Sequence, residues 1–124
     1  MPATSPEQLH SLLAAAFNGR DVEAFLDLYE PEAALVVPPE GLTVRGTAAI
    51  RAAIEPVFAA GPAFQNRIVG KLETDDLALA HIRWSSRVGS GGDTVEESGR
   101  GTVVSRRQAD GSWRIVLDIP VSPE

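Results

Sequence analysis

The residues best suited to chemistry in this chain are Asp118, His81, Arg83 and Glu97, all in its second half. Asp118 lies near the end of Trp113-Arg-Ile-Val-Leu-Asp-Ile119, a run that is otherwise almost wholly apolar. A carboxylate there must be desolvated or partnered, and either condition moves its pKa. Strand pairing says which partners are within reach. Asp110-Gly111 suits a tight hairpin turn, because both residues tolerate positive φ. With a two-residue loop Val103 faces Asp118, and Gly99 and Gly101 share that face. A three-residue loop would shift the pairing by one and set Thr102 beside Asp118 instead. A symmetrical hairpin across Gly89–Asp93 places Arg83 near Gly99 and His81 near Gly101. His81, Arg83, Glu97 and Asp118 then converge over two glycines, whose bare backbone leaves room for a ligand or bends the sheet. In that arrangement Asp118 is a catalytic base, with Arg83 and His81 as its electrostatic partners. The alternative is structural: an Arg83–Asp118 ion pair beside a satisfied or solvent-facing His81.

The elements that must position these groups are legible from caps and periodicity. Ser5-Pro6-Glu7-Gln8 is a capping box with proline at the first helical position, followed by the stripe Leu9, Leu12, Leu13, Ala16, Phe17. Asn18-Gly19 stops that helix. Asp21 caps a second, with Val22, Phe25, Leu26 and Tyr29 on one face and Pro31 ending it. A short strand, Ala34 to Val37, runs into a turn at Pro38-Pro39-Glu40-Gly41 and on to Leu42–Arg45. Thr47 caps a third helix carrying Ile50, Ile54, Val57 and Phe58, with Pro56 expected to kink it. From Phe64 the period changes to two, and strands follow at Phe64–Glu73, Leu77–Val88, Thr94–Gln108 and around Trp113–Ile119. Three helices and then a meander of strands read as α+β, a curved antiparallel sheet with helices on one face, forming one domain over residues 1–124. The row Ile82, Trp84, Trp113, Ile115 and Leu117 would form the other sheet face, with a homodimer partner as its natural cover, or with core packing as the competing account if the two faces are inverted.

Composition narrows the function. The chain has 124 residues and a net charge of −6, with Lys71 its only lysine, which speaks against nucleic acid and anionic membrane surfaces. It has no cysteine, so disulfides, thiolate metal sites and cysteine nucleophiles are excluded. The start carries neither a basic flank nor an apolar h-region, and no stretch reaches membrane-span length, so a cytoplasmic protein is expected. There is no G-x-S-x-G, no Walker loop, and no pair of histidines at ligand spacing, since His10 and His81 are the only two. Gly89-Ser-Gly-Gly92 reads as a hairpin loop, because no helix start follows it to hold a phosphate. No metal or cofactor is expected.

The stretches "AAAFNGRDVEAFLDLYEPEAALVVPPEGLTVRGTAAIRAAI", "LALAHIRWSSRV" and "DGSWRIVLDIP" resemble the SnoaL-like, ketosteroid isomerase-like branch of the nuclear transport factor 2-like superfamily, from about Leu9 to Pro120. The resemblance implies a cystatin-like cone, a curved sheet wrapped around helices with a pocket at one end, usually dimeric through the sheet. Superfamily members include isomerases, epoxide hydrolases, cyclases, dehydratases and non-catalytic association domains. Carried over by position, the steroid isomerase's tyrosine falls on Leu13, its general-base aspartate on Val37 and its protonated aspartate on Val103, so that chemistry is not expected. The epoxide hydrolase's aspartate on the last strand is similar in place to Asp118, while its Arg-x-Asp pair falls near His81-x-Arg83. The association domain's pocket arginine resembles Arg83 in "AHIRWSS". The resemblance thus implies a pocket for an apolar, oxygen-bearing small molecule, lined by Tyr29, Pro38 and Phe58 with Glu97, Gly99 and Gly101. It also leaves two functional classes open, a cofactor-independent acid/base enzyme and a binding or dimerisation module without turnover.

Overall fold

In the computed structural model, residues 3–37, 41–60, 63–88 and 95–120 are described. Helix α1 (Pro6–Asn18) starts where its cap demands, with the Ser5 side chain accepting from Gln8 N at 3.1 Å. The return arm of the cap slips by one residue, for Gln8 Oε1 accepts from Thr4 N at 2.6 Å. Asp21 caps α2 (Val22–Leu26) by accepting from Ala24 N. That helix is one turn shorter than its apolar spacing suggests. Pro31 cannot continue a helix and disfavours helical backbone at Glu30, so Tyr29 opens strand β1 (Tyr29–Val37) instead. Strand β2 (Leu42–Arg45) and helix α3 (Thr47–Ala60) follow, and α3 runs through Pro56. The turn expected at Pro38–Glu40 and the loop Gly89–Asp93 lie outside the described residues.

Strands β3 (Ala63–Glu73), β4 (Leu77–Val88), β5 (Val95–Arg107) and β6 (Trp113–Ile119) complete a six-stranded sheet of order β2-β1-β6-β5-β4-β3. All neighbours are antiparallel except β1 and β6, which run parallel, a departure from the wholly antiparallel sheet that the sequence suggests. The architecture is the expected α+β: α1 packs on β3, α3 on β1, and the inner face of a curved open sheet closes on the helices. Leu9, Ile50, Val103 and Ile115 are the largest fully buried side chains of that core. Among the described residues no helix is long and apolar enough to cross a membrane.

Two details of register decide which side chains face inward. The last hairpin starts in the three-residue-loop register, with Arg107 opposite Trp113, Gln108 N donating to Ser112 O, and Gly111 at φ 87°. Val116 then bulges: Ser105 pairs with Ile115 but Val104 with Leu117, and beyond it Val103 stands opposite Asp118. The extra residue reverses the alternation, so Asp118 joins Trp113 and Ile115 on the helix-covered face while Leu117 turns outward at 46% exposure. In the other hairpin, Trp84 pairs with Gly99 and Ile82 with Gly101, one residue away from the symmetrical expectation. A one-residue offset exchanges the faces of a whole strand. Ile82 and Trp84 therefore point into the core, and His81 and Arg83 point out.

The apolar row read from the sequence as a dimer face is corrected accordingly. Ile82, Trp113 and Ile115 are buried in the chain's own core, with Trp84 packed against it, and of that row Leu117 alone is on the outer face.

Candidate functional site

The inner sheet face and the helices enclose a cavity of about 400 Å³ lined almost entirely by hydrocarbon. Its wall is built by Phe17 of α1, Phe25 of α2, Ile54 and Val57 of α3, and Ile82 and Trp84 of β4. The rings interlock, Phe17 lying 4.8 Å from Phe58 and 4.6 Å from Phe64, and Phe25 5.1 Å from Tyr29, centroid to centroid. Such a surface offers a ligand burial of apolar area and few hydrogen bonds.

Against this wall stand two polar groups that β1 and β6 bring together. Tyr29 Oη donates to Asp118 Oδ2 at 2.5 Å, with both residues buried. The link depends on the register features above. β1 begins at Tyr29 because α2 stops early, and Asp118 faces inward because Val116 bulges. Asp118 Oδ1 has no hydrogen-bond partner among the described residues. Burial disfavours the carboxylate and pushes Asp118 up from 3.8 to about 6, against the smaller opposing pull of the Tyr29 hydrogen bond. The same burial, reinforced by the Asp118 charge, holds the Tyr29 phenol well above its usual value, so it stays protonated and remains a donor. The pair is a neutral donor locked onto a carboxyl group that titrates near neutrality.

The other sequence-derived candidates distribute unevenly. Glu97 lines the cavity, directly across from Ser86, and both also border a second, polar recess at the protein surface. Gly99 and Gly101 lie on the inner face, but the room above them is taken. A Cβ on Gly99 would stand 2.9 Å from the Trp84 ring, and one on Gly101 would stand 2.8 Å from Ile119 O. Their bare backbone admits the Trp84 indole, whose Nε1 donates to Pro120 O at 2.5 Å, rather than a ligand. Phe58 is buried behind the cavity wall, against Phe17 and Phe25. Pro38 falls outside the described residues.

His81 and Arg83 are on the far side of the sheet and do not meet Asp118. His81 Nδ1 instead lies 3.2 Å from Thr102 Oγ1, and both His81 and Arg83 are exposed. No Arg83–Asp118 ion pair exists, and the structural alternative considered for that pair goes with it. Ser86, Trp84, Phe17 and Phe64 were missed as lining. The even-numbered alternation of β4 carried the signal for Trp84 and Ser86, but the assumed hairpin register assigned it to the wrong face. Leu13, Val37 and Val103, the positions where the isomerase resemblance looks for polar groups, all line the cavity as hydrocarbon. Among the described residues no group of three or more His, Cys, Asp or Glu is placed to hold a metal ion.

Comparison with known proteins agrees with the fold. A family model for the SnoaL-like domain matches residues 10–116. A candidate calcium/calmodulin-dependent protein kinase type II association domain from Thiobacillus denitrificans superposes with a TM-score of 0.81 at 22% identity, covering 100% of this chain and 99% of that one. A candidate dehydratase of the NTF2-like family from Streptomyces avermitilis gives 0.74 at 17% identity, over 89% and 88% of the two chains. An NTF2-like protein with a cystatin-like fold from Novosphingobium aromaticivorans gives 0.76 at 21%, over 90% and 75%. No protein with a curated description matches the sequence significantly. The chain belongs to the SnoaL-like domain family, with the NTF2-like, cystatin-like fold.

Proposed function

We propose that this SnoaL-like domain is a cofactor-independent acid/base enzyme acting on an apolar, oxygen-bearing small molecule, with Asp118 as the proton-transferring group and Tyr29 as its positioning hydrogen-bond donor. The observation that carries the reading is the Tyr29–Asp118 pair at 2.5 Å, buried at the wall of a hydrocarbon cavity. A carboxyl group with a pKa of about 6 is mostly ionised at neutral pH, yet basic enough to accept a proton from a weak carbon or oxygen acid. Oδ2 is held by the phenol, which leaves Oδ1 to receive the proton. The electron pair left on the substrate passes to its own oxygen atom, and Asp118 returns the proton at a second position, as isomerisation, cyclisation or dehydration requires. Tyr29 stabilises the carboxylate before transfer and fixes its plane throughout.

The test needs no knowledge of the true substrate. Small cyclic ketones and enones are incubated with the protein in deuterated water, and exchange of the hydrogens next to the carbonyl is followed by NMR. Exchange should follow an apparent pKa near 6 and disappear in Asp118→Asn. Ketones that bind, shown by shifted protein resonances, without any exchange would overturn the enzyme reading.

That last outcome would favour a second reading, a binding or association module. Its support is the similarity to the association domain, together with an apolar row on the outer sheet face. Ala34, Leu117, Val104, Leu79 and Leu72 stand side by side across β1, β6, β5, β4 and β3. Leu72 and Leu117 are 71% and 46% exposed. We infer that a second copy of the chain covers this row. Dimerisation and turnover are compatible.

A further inference from the structure

The outer sheet face carries a second feature, at the end away from that apolar row. Arg67 on β3 is paired with Arg83 on β4, and Arg83 with Arg100 on β5. Inner-face neighbours fix the direction of all three. Asn66 reaches His10 O under α1, Ile82 is buried, and Gly101 backs onto the end of β6, so Arg67, Arg83 and Arg100 project outward and are exposed. Adjacent strands lie about 4.8 Å apart, so the three stems stand abreast within roughly 10 Å. None of the three has an ion pair among the described residues, although Arg51, Lys71, Arg87 and Arg106 all do.

This arrangement opposes folding. Like charges directly across a strand pair destabilise a sheet. The chain has 17 acidic against 11 basic residues, so carboxylates to break the row are not scarce in its composition. Hydroxyl and imidazole groups, not acids, flank it: Ser85 and Ser98 form the pair on one side, and His81 and Thr102 the pair on the other.

We propose that the Arg67–Arg83–Arg100 row is a binding site for a compact polyanion carrying two adjacent oxyanion groups, a diphosphate or a vicinal dicarboxylate. Guanidinium forks match both kinds of oxyanion bidentately, and three abreast present more donors than one such group can use. A longer nucleic acid is the poorer fit, because the acidic remainder of the chain would repel it. The row lies about four residues along β5 from Val104, roughly 13 Å, so a ligand here and a second copy on the apolar row do not compete for the same residues. The site is on the opposite face of the sheet from Asp118 and stands independently of the proposed chemistry.

The experiment is calorimetric titration of the full chain with pyrophosphate and, in parallel, succinate, at constant low ionic strength balanced with sodium chloride. Binding that weakens at least tenfold in Arg83→Gln but is kept in Arg45→Gln, an arginine on β2 outside the row, supports the site. The stronger of the two anions says whether phosphate or carboxylate is its ligand class. A thermal melt supplies an independent reading. Arg83→Glu puts a carboxylate between two guanidinium groups, so it should raise the Tm of the free protein while abolishing the stabilisation by pyrophosphate. No binding above chloride, or equal losses in Arg83→Gln and Arg45→Gln, overturns the proposal. So does a dimer that dissociates in Arg83→Gln with anion binding unchanged, since the row would then face acids of a second copy. An Arg83→Glu protein that melts lower than the parent would refute the repulsive row itself.

Discussion

Replacing Asp118 by asparagine should make the protein more stable at neutral pH. Burial raises the Asp118 carboxyl from 3.8 to about 6, so above pH 7 its ionised form costs the fold about 3 kcal/mol relative to the unfolded chain. The sign follows from the direction of the shift. A group whose folded pKa is raised contributes fully below its unfolded value near 4, and that contribution is lost as pH rises through about 6. Asparagine keeps the shape and an oxygen acceptor for Tyr29 Oη but removes the charge. The hydrogen bond it offers is weaker than one to a carboxylate by about 1 kcal/mol, which leaves a net gain of about 1–2 kcal/mol at pH 7.5. In a chain of this size that is a rise in Tm of roughly 3–10 °C. At pH 4 the carboxyl is neutral and the gain should vanish. Buried His10 runs the other way. Its Nδ1 has no hydrogen-bond partner among the described residues, and burial lowers its pKa from 6.5 to about 4. Stability from this group is complete above 6.5 and is lost by about 3 kcal/mol as pH falls to 4. The two opposed contributions nearly cancel in the parent protein, whose stability should be almost flat over this range as far as these groups decide it. Asp118→Asn removes one and exposes the other, so its Tm should fall steeply from pH 7 to 4. Melting curves by circular dichroism at half-unit intervals measure both. A mutant less stable than the parent at pH 7.5, or one whose advantage persists at pH 4, would refute the desolvation argument.

Tyr29→Phe removes the one contact that lowers the Asp118 pKa, so the carboxyl should titrate above 6 in a carbon-13 NMR titration; an unchanged or lower midpoint would contradict the hydrogen bond. Gly99→Ala drives a methyl group to 2.9 Å from the Trp84 ring. Displacing the indole and its bond to Pro120 O should cost about 1–3 kcal/mol and shift the tryptophan fluorescence, whereas an unperturbed melt would mean that the ring yields freely. Leu117→Asp places a charge in the middle of the outer apolar row. Light scattering should show a dimer for the parent and the monomer mass for the mutant, and a parent that is monomeric at micromolar concentration removes the second copy from that face.

How much of this was legible in the sequence depended on whether a feature was local or a matter of register. The caps at Ser5 and Asp21 and the change to period two at Phe64 rest on interactions within a few residues, and the structure keeps them. The single-residue slips were not legible. Pairing by symmetry across Gly89–Asp93 put His81 and Arg83 beside the glycines, and the actual offset of one moved both to the other side of the sheet. The same kind of error had an opposite outcome in the last hairpin. Val103 was matched to Asp118 from a two-residue loop, and the loop has three, but the Val116 bulge restores the pairing. Nothing in Trp-Arg-Ile-Val-Leu-Asp marks Val116 as the residue that bulges. The bulge makes the choice of faces, and apolar burial alone would not favour it: without it Asp118 would face solvent and Leu117 the core.

That choice runs against the hydrophobic effect and is therefore informative. Turning Leu117 outward and Asp118 inward forgoes the burial of a leucine, about 1.5–3 kcal/mol, and adds the cost of desolvating a carboxyl group. Neither loss is recovered by an ion pair among the described residues, where the carboxyl's hydrogen-bond partner is the Tyr29 phenol. Deleting the bulge would put Leu117 in place of Asp118 on the inner face. A fold that keeps an unfavourable carboxyl group inside a hydrocarbon cavity, with one oxygen held and the other without a hydrogen-bond partner among the described residues, has the features expected where stability has been given up for a reactive group. The Asp118→Asn protein tests that trade directly: a variant that melts higher and no longer exchanges substrate protons shows both sides of it in one molecule, while one that melts higher and exchanges as before shows that the buried carboxyl group serves no chemistry.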